Sequence, residues 1–269
     1  MGKSTTNDMT VGSPVKLIIQ FMIPMCLGNI FQQFYNIADS IIAGQFIGVN
    51  ALAAIGSTGS LMFFVTGWLN GLTSGFAILV SQLFGAKKYD EMRHYVAMSI
   101  YLTAAFTIAM TVGFEIANAP ILRMMNTPDE VIGDVIKYMA IIYAGLAVTA
   151  AYNALSSFLR ALGDSKSPLY FLIISALLNI VLDIVFIVCF GMGVEGCAYA
   201  TVIAQGISAL LCLVYIKKKM PLLHLEKKNF TVSVNSFKRL LALGIPMGLQ
   251  FSITAIGTIV TKLFTPKFI

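Results

Sequence analysis

The chain has 269 residues, 58% of them hydrophobic and only 11% charged, and its mean hydropathy is +0.84. A soluble domain carries about 25% charged residues, and no water-soluble fold of this length hides so much apolar surface, so lipid is the expected solvent. The net charge of +6 does not point to nucleic acid, because the basic residues sit in short loops between apolar runs, where they report orientation in a bilayer.

Crossing a bilayer takes about 20 apolar residues. Runs of that length are predicted at 16–41, 51–79, 94–117, 134–157, 167–190, 195–216 and 239–261. The fold class is therefore all-α and polytopic: seven spans, six of them forming a lobe. The first run, from Leu17 to Ala38, is too long for a signal-peptide core of about 7–15 residues and lacks a small-x-small cleavage site. It is expected to be a spanning helix. Turn and charge signals separate the runs at Gly44–Asn50, Gly85–Lys88, Asn126–Asp129, Gly163–Lys166, Gly191–Gly193 and the basic stretch Lys217–Arg239. No segment of about 10 residues alternates with period two, which argues against a β-barrel. The cysteines Cys26, Cys189, Cys197 and Cys212 lie in apolar runs without metal-ligand spacing and read as packing residues.

Lysine and arginine set the orientation. With the amino terminus inside, the cytoplasmic segments hold Lys3, Lys16, Lys87, Lys88, Arg93, Arg160, Lys166, Lys217, Lys218, Lys219, Lys227, Lys228, Lys238 and Arg239. The other side holds Arg123, Lys137, Lys262 and Lys267. The expected location is a cell membrane, inner or plasma, with a cytoplasmic amino terminus.

An internal echo bears on organisation. Lys16, Ile23, Pro24, Met25 and Leu27 return as Lys238, Ile245, Pro246, Met247 and Leu249 at one constant offset. An even number of helices per repeat makes the repeats parallel, related by an axis along the membrane normal. Residues 1–222 are expected to form a six-helix lobe. Residues 223–269 then hold a cytoplasmic linker and the first helix of an incomplete second lobe. The stretch after Val260 does not resemble Asn36-Ile37-Ala38-Asp39, the residues at the end of the first copy. Such a divergence is expected after a frameshift or premature stop, so the carboxy-terminal lobe is expected to be missing.

Ionisable groups inside spans cost several kcal/mol unless paired or hydrated, which makes them site candidates. Asp39 and Asp183 are the acids most deeply set in apolar sequence, each toward the outer end of an outward-running helix. Two carboxylates at one depth suit Na⁺ binding or a shared proton; a solvated helix end is the alternative. Asn179 precedes Asp183 by one turn, on the same face. Its amide either completes oxygen coordination or bonds another helix. Asn153 and Thr201 are compatible with that cluster, and Tyr35 lies beside Asp39 in sequence. Glu115 is expected to reach water. Pro24 deletes a backbone hydrogen bond and marks a kink, static or a hinge. Gly56, Gly59, Gly67, Gly71 and Gly75 stripe the second helix at a spacing that favours close helix contact. No Walker A, HExxH or GxSxG sequence is present, so neither ATP drive nor hydrolysis is indicated.

The residues Pro24-Met25 through Gln33, Tyr35-Asn36-Ile37-Ala38-Asp39, Gly44 to Gly48, Ala51-Leu52-Ala53-Ala54, Gln82-Leu-Phe-Gly85-Ala86 and Leu159-Arg160-Ala161-Leu162-Gly163-Asp164 together resemble the multidrug and toxic compound extrusion (MATE) transporters. The resemblance implies a twelve-helix antiporter of two lobes that exports cationic drugs in exchange for Na⁺ or H⁺. It implies a cation site at Asp39, Asn153, Asn179, Asp183 and Thr201 with Tyr35 nearby, and no cofactor beyond the coupling ion. The expected function is such antiport, with the bilayer, a small organic cation and the missing lobe as partners. A lipid-linked saccharide flippase, a seven-helix receptor and a non-functional truncation product are the alternatives.

Overall fold

The structure, a computed structural model, describes residues 13–264. Lys3 and Lys267 of the expected orientation lie outside the described residues, as do the chain ends of both expected units. Every described element is helical: α1 (Pro14–Phe46), α2 (Val49–Gly85), α3 (Tyr89–Met124), α4 (Ile132–Ala144), α5 (Leu146–Ala161), α6 (Lys166–Ile184), α7 (Val194–Lys219) and α8 (Val234–Phe264). A π-helical turn, Val185–Cys189, prolongs α6.

The helix ends carry their own chemistry. Pro14 starts α1, where a missing N–H costs nothing. Asp90 and Glu91 open α3 and Glu195 opens α7, while Lys217, Lys218 and Lys219 close α7; each charge complements the helix dipole. The reversals need left-handed backbone, and Lys87 (φ 58°), Asn126 (φ 56°) and Gly163 (φ 86°) supply it within the predicted turn signals.

Five single helices are long and apolar enough to cross a membrane, and two bent pairs bring the spans to seven among the described residues. They overrun the predicted boundaries, α1 at 33 residues and α2 at 37. The fourth span differs from expectation. The apolar run 134–157 is not one rod but α4 and α5, bent by 46°. Gly145 sits at the bend, and a Cβ there would drive into the side chain of Val202 on α7. The break lets α7 approach closely.

One core cluster packs Leu61, Val65 and Leu69 of α2 against Tyr138, Met139 and Tyr143 of α4 and Cys197 and Ala198 of α7. A second, toward the basic end, joins Phe158, Leu159 and Leu162 with Cys212, Ile216 and Met220. By contrast α1 is peripheral. Val15, Ile18, Met22, Phe34 and Ile37 all remain exposed, a surface suited to lipid or another apolar partner.

The glycine stripe on α2 is where α8 docks. A Cβ on Gly71 would stand 2.7 Å from the Cα of Gly248, and one on Gly75 would stand 2.6 Å from the Cα of Gly244. Small residues four apart on both helices let the backbones touch. The stripe stops short of its full predicted length, since Gly56 and Gly59 face nothing within 4 Å.

The segment between α7 and α8 is pinned to α3. Arg93 Nε donates to the Leu222 carbonyl at 3.2 Å. His94 Nδ1 lies 3.1 Å from the Asn229 carbonyl and Nε2 lies 3.0 Å from Ser236 Oγ. A carbonyl only accepts, so Nδ1 carries the proton; in the neutral ring Nε2 then accepts from Ser236. Asn229 and Glu226 cap one another's turn.

Candidate functional site

Three helices deliver the polar groups that the apolar sequence makes conspicuous. On α1, Tyr35 and Asp39 are one turn apart and form part of its buried face. On α6, Asn179 and Asp183 repeat that spacing, and both are fully buried, at 0% exposure. On α7, Thr201 is buried beside them. Tyr35 donates its hydroxyl proton to Thr201 Oγ1 at 3.0 Å, tying α1 to α7. Thr201 and Asp183 both lie close enough to the Asp39 carboxylate to interact with it.

Two carboxylates have no proton to donate to each other. Asp183 Oδ1 and Oδ2, and Asp39 Oδ1, are accordingly buried without a hydrogen-bond donor, as are both polar atoms of Asn179. Like charges this close and away from water repel strongly. A shared proton removes that repulsion, and so does a small cation. The acceptors are hard oxygens, the type that Na⁺, like Ca²⁺ and Mg²⁺, prefers over nitrogen or sulfur.

The sequence-predicted residues do not all meet. Tyr35, Asp39, Asp183 and Thr201 come together, and Asn179 lines the same face of α6 one turn away. Asn153 stands half-buried on α5, and its side chain makes no hydrogen bond among the described residues. Glu115 is exposed, as expected. Pro24 lies inside a continuous α1, buried. Two residues that sequence reasoning passed over also face the carboxylates: Tyr138 from α4 and Cys197 from α7. Cys197 precedes Thr201 by one helical turn, a signal available in the sequence; Tyr138 offers none.

Beside this cluster a groove of about 580 Å³ runs along α1, lined by Gln33, Asn36, Ser40 and Gln45 with Ile37, Ile41, Gly44 and Leu52. Among the described residues no lysine or arginine lines it.

The model of the MatE family matches residues 24–185, more than half of the chain. The chain belongs to the MatE family. It is 31% identical over 255 residues to the probable multidrug resistance protein YoeA of Bacillus subtilis, covering 92% of this chain and 55% of that protein. It is 32% identical over 256 residues to the probable multidrug resistance protein YpnP of the same organism, with 93% and 56% covered. Among solved structures it superimposes on the outward-facing conformation of a multidrug resistance MATE family transporter of the MOP superfamily. The TM-score there is 0.87 at 26% identity, over 96% of this chain and 57% of that one. The chain thus spans about half the length of the relatives it matches. Its MatE membership and its apolar helices make it a multi-pass membrane protein.

Proposed function

We propose that the chain supplies the ion-coupling lobe of a secondary transporter that exports organic cations in exchange for Na⁺ or H⁺. The observation that carries this reading is the Asp39–Asp183 pair: two carboxylates from different helices, buried together, with three oxygens lacking a donor. Taking up a proton or Na⁺ neutralises the pair and changes how tightly α1 is held to α6 and α7. An ion that binds one arrangement of α1 better than the other shifts the balance between them. Pro24 is the proposed hinge, because it leaves the carbonyl of Gln20 without its helical partner, and the flanking Met22 and Ile23 are exposed and free to swing.

The groove on α1 is the proposed contact surface for the organic cation. Its amide and hydroxyl side chains offer carbonyl and hydroxyl oxygens, and it carries no positive side chain to receive a lipid pyrophosphate. Names of relatives support the substrate class, since YoeA and YpnP are both described as probable multidrug resistance proteins. Residues 1–222 are read as one lobe, and the exposed apolar side of α1 as the surface that meets a second, parallel lobe. The amino terminus and the α7–α8 segment are read as cytoplasmic.

The test compares the parent chain in nanodiscs with an Asp39→Asn, Asp183→Asn double variant. Proton uptake between about pH 8 and pH 5 should be larger in the parent by about one proton per chain. Na⁺ should displace that proton if it is the coupling ion. Equal uptake in both chains sinks the reading. Vesicles carrying an imposed Na⁺ or H⁺ gradient and a fluorescent organic cation then test the substrate class.

A further inference from the structure

A second, much smaller cavity lies inside the lobe, away from the groove. It is a partly open pocket between α1, α5, α6 and α7, with a volume of about 10 Å³, room for about one water. Gln32, Tyr35, Tyr152, Ser175, Gln205 and Ser208 contribute its polar lining.

We infer that this cavity is a relay station through which the carboxylate pair exchanges protons with the basic end of the bundle, without passing through the groove. The inference deepens the proposed function, since it rests on the pair taking up a proton.

Depth is the first support. On α1, Gln32 precedes Asp39 by two turns. On α6, Ser175 precedes Asp183 by two turns. On α7, which runs the opposite way, Gln205 and Ser208 follow Thr201 by one and two turns. At 1.5 Å per residue all lie about 6–12 Å from the pair. Each displacement is toward the end that holds Lys166 and Lys217–Lys219. Three helices agree on one direction.

Hydrogen-bond polarity is the second. Tyr35 belongs to both places, lining the cavity while its hydroxyl donates to Thr201 Oγ1 at 3.0 Å. That leaves the Tyr35 oxygen free to accept, and the Thr201 proton free to point at Asp39, which lies close by. A proton that leaves a protonated cavity water bonds to the Tyr35 oxygen. The original Tyr35 proton passes to Thr201 Oγ1, and the Thr201 proton passes to the Asp39 carboxylate. One O–H bond forms as one breaks at each hydroxyl, no electrons are gained or lost, and one proton has moved.

The cavity walls suit a single water, which needs two to four polar partners. Gln205 Oε1 is buried without a donor. Ser175 and Ser208 spend their protons on the carbonyls of Ala204 and Phe171, at 2.8 and 2.9 Å, and keep lone pairs to accept with. Toward the basic end lie further polar groups: Tyr152, whose hydroxyl donates to the Pro168 carbonyl at 3.4 Å, and Tyr215, whose hydroxyl donates to Asp164 Oδ2 at 3.0 Å. The titratable groups facing the pair are Tyr35, Tyr138 and Cys197. Tyr35 and Tyr152 line the cavity, with Arg160, Cys212, Asp164 and Tyr215 beyond Tyr152. The neighbouring α2 carries none.

The experiment is infrared spectroscopy of the chain in lipid, switched from H₂O to D₂O. The protonated carboxyl band, assigned by its loss in Asp39→Asn or Asp183→Asn, reports exchange at the pair. Gln205→Met removes the orphan acceptor, and Ser175→Val fills the cavity from a different helix. Both should slow exchange by about tenfold or more, whereas Ser175→Thr, which keeps the hydroxyl, should exchange at the parental rate. The amide band of the same spectra verifies that each variant is folded, and either cavity variant alone suffices if the other is not. An assignable band whose exchange rate is unchanged in the folded cavity variants overturns the relay and leaves the carboxylate site standing. A parent chain with no such band in Na⁺-free buffer at low pH overturns the relay, and leaves the carboxylate reading to its Na⁺ form.

Discussion

Tyr35 and Thr201 hold α1 against α7 through one 3.0 Å hydrogen bond, made beside the Asp39 carboxylate. Few other polar bonds tether α1, whose apolar side chains are largely exposed. A buried bond of this kind contributes about 0.5–1.5 kcal/mol, and leaving one partner unsatisfied costs about 1–3 kcal/mol. Tyr35→Phe keeps the ring and removes the donor. The expected outcome is a lowered unfolding temperature in detergent and faster amide exchange along residues 30–42. A variant as stable and as protected as the parent would show that the bond contributes nothing to holding α1.

How much of this arrangement the sequence disclosed depended on contrast. Asp39, Asn179, Asp183 and Thr201 stand out because each is polar in an apolar run, and helical spacing pairs Asn179 with Asp183. The same contrast flagged Asn153, which stands half-buried on α5 without a side-chain hydrogen bond among the described residues. Tyr138 and Cys197 carry little contrast: a tyrosine suits a membrane interface and a cysteine behaves as a small apolar residue. The bend at Gly145 was hidden for a different reason. Gly145 there packs against Val202, on a helix that only the tertiary fold brings close. Periodicity read along one segment has no access to such a contact.

Orientation is directly testable because the described loops have exposed positions on both sides. Val232, 64% exposed, lies between α7 and α8, and Glu130 is exposed in the turn before α4. In a background with Cys26 and Cys189 replaced by alanine, an impermeant maleimide should label Glu130→Cys on intact cells. Val232→Cys should react only after permeabilisation. The reverse pattern would invert the topology and place the basic residues outside, against the usual bias.

The pinning of the α7–α8 segment depends on the two ring nitrogens of His94, which bond the Asn229 carbonyl and the Ser236 hydroxyl. His94→Leu removes both bonds while keeping an apolar stem against Tyr95. At about 1 kcal/mol for each bond, local opening should become more frequent, with hydrogen exchange across residues 224–236 accelerated about tenfold. Exchange in the α2–α8 contact should stay as in the parent, because His94 reaches α8 only at Ser236 in its first turn, whereas the contact lies at Gly244 and Gly248. Unchanged exchange at 224–236 would mean that Arg93 and the capping pair of Glu226 and Asn229 hold the segment by themselves.

The glycine contact between α2 and α8 makes the sharpest position-specific demand. At Gly71 a Cβ meets the Cα of Gly248 at 2.7 Å and also runs into the Met247 carbonyl, so the obstacle is backbone and cannot rotate away. Gly71→Val should therefore push α8 off α2, at a cost of about 1–3 kcal/mol. Gly59→Ala adds a methyl where nothing lies within 4 Å. It should be neutral or gain up to about 1 kcal/mol from helix propensity. The chain supplies its own reporter, since Trp68 is its only tryptophan and its ring lies against Gly248, 3.3 Å from where a Cβ would be. Trp68 emission should shift in Gly71→Val and stay parental in Gly59→Ala, with the unfolding temperature moving the same way. Parental emission and stability in Gly71→Val would mean that α8 is not seated on the stripe in the membrane.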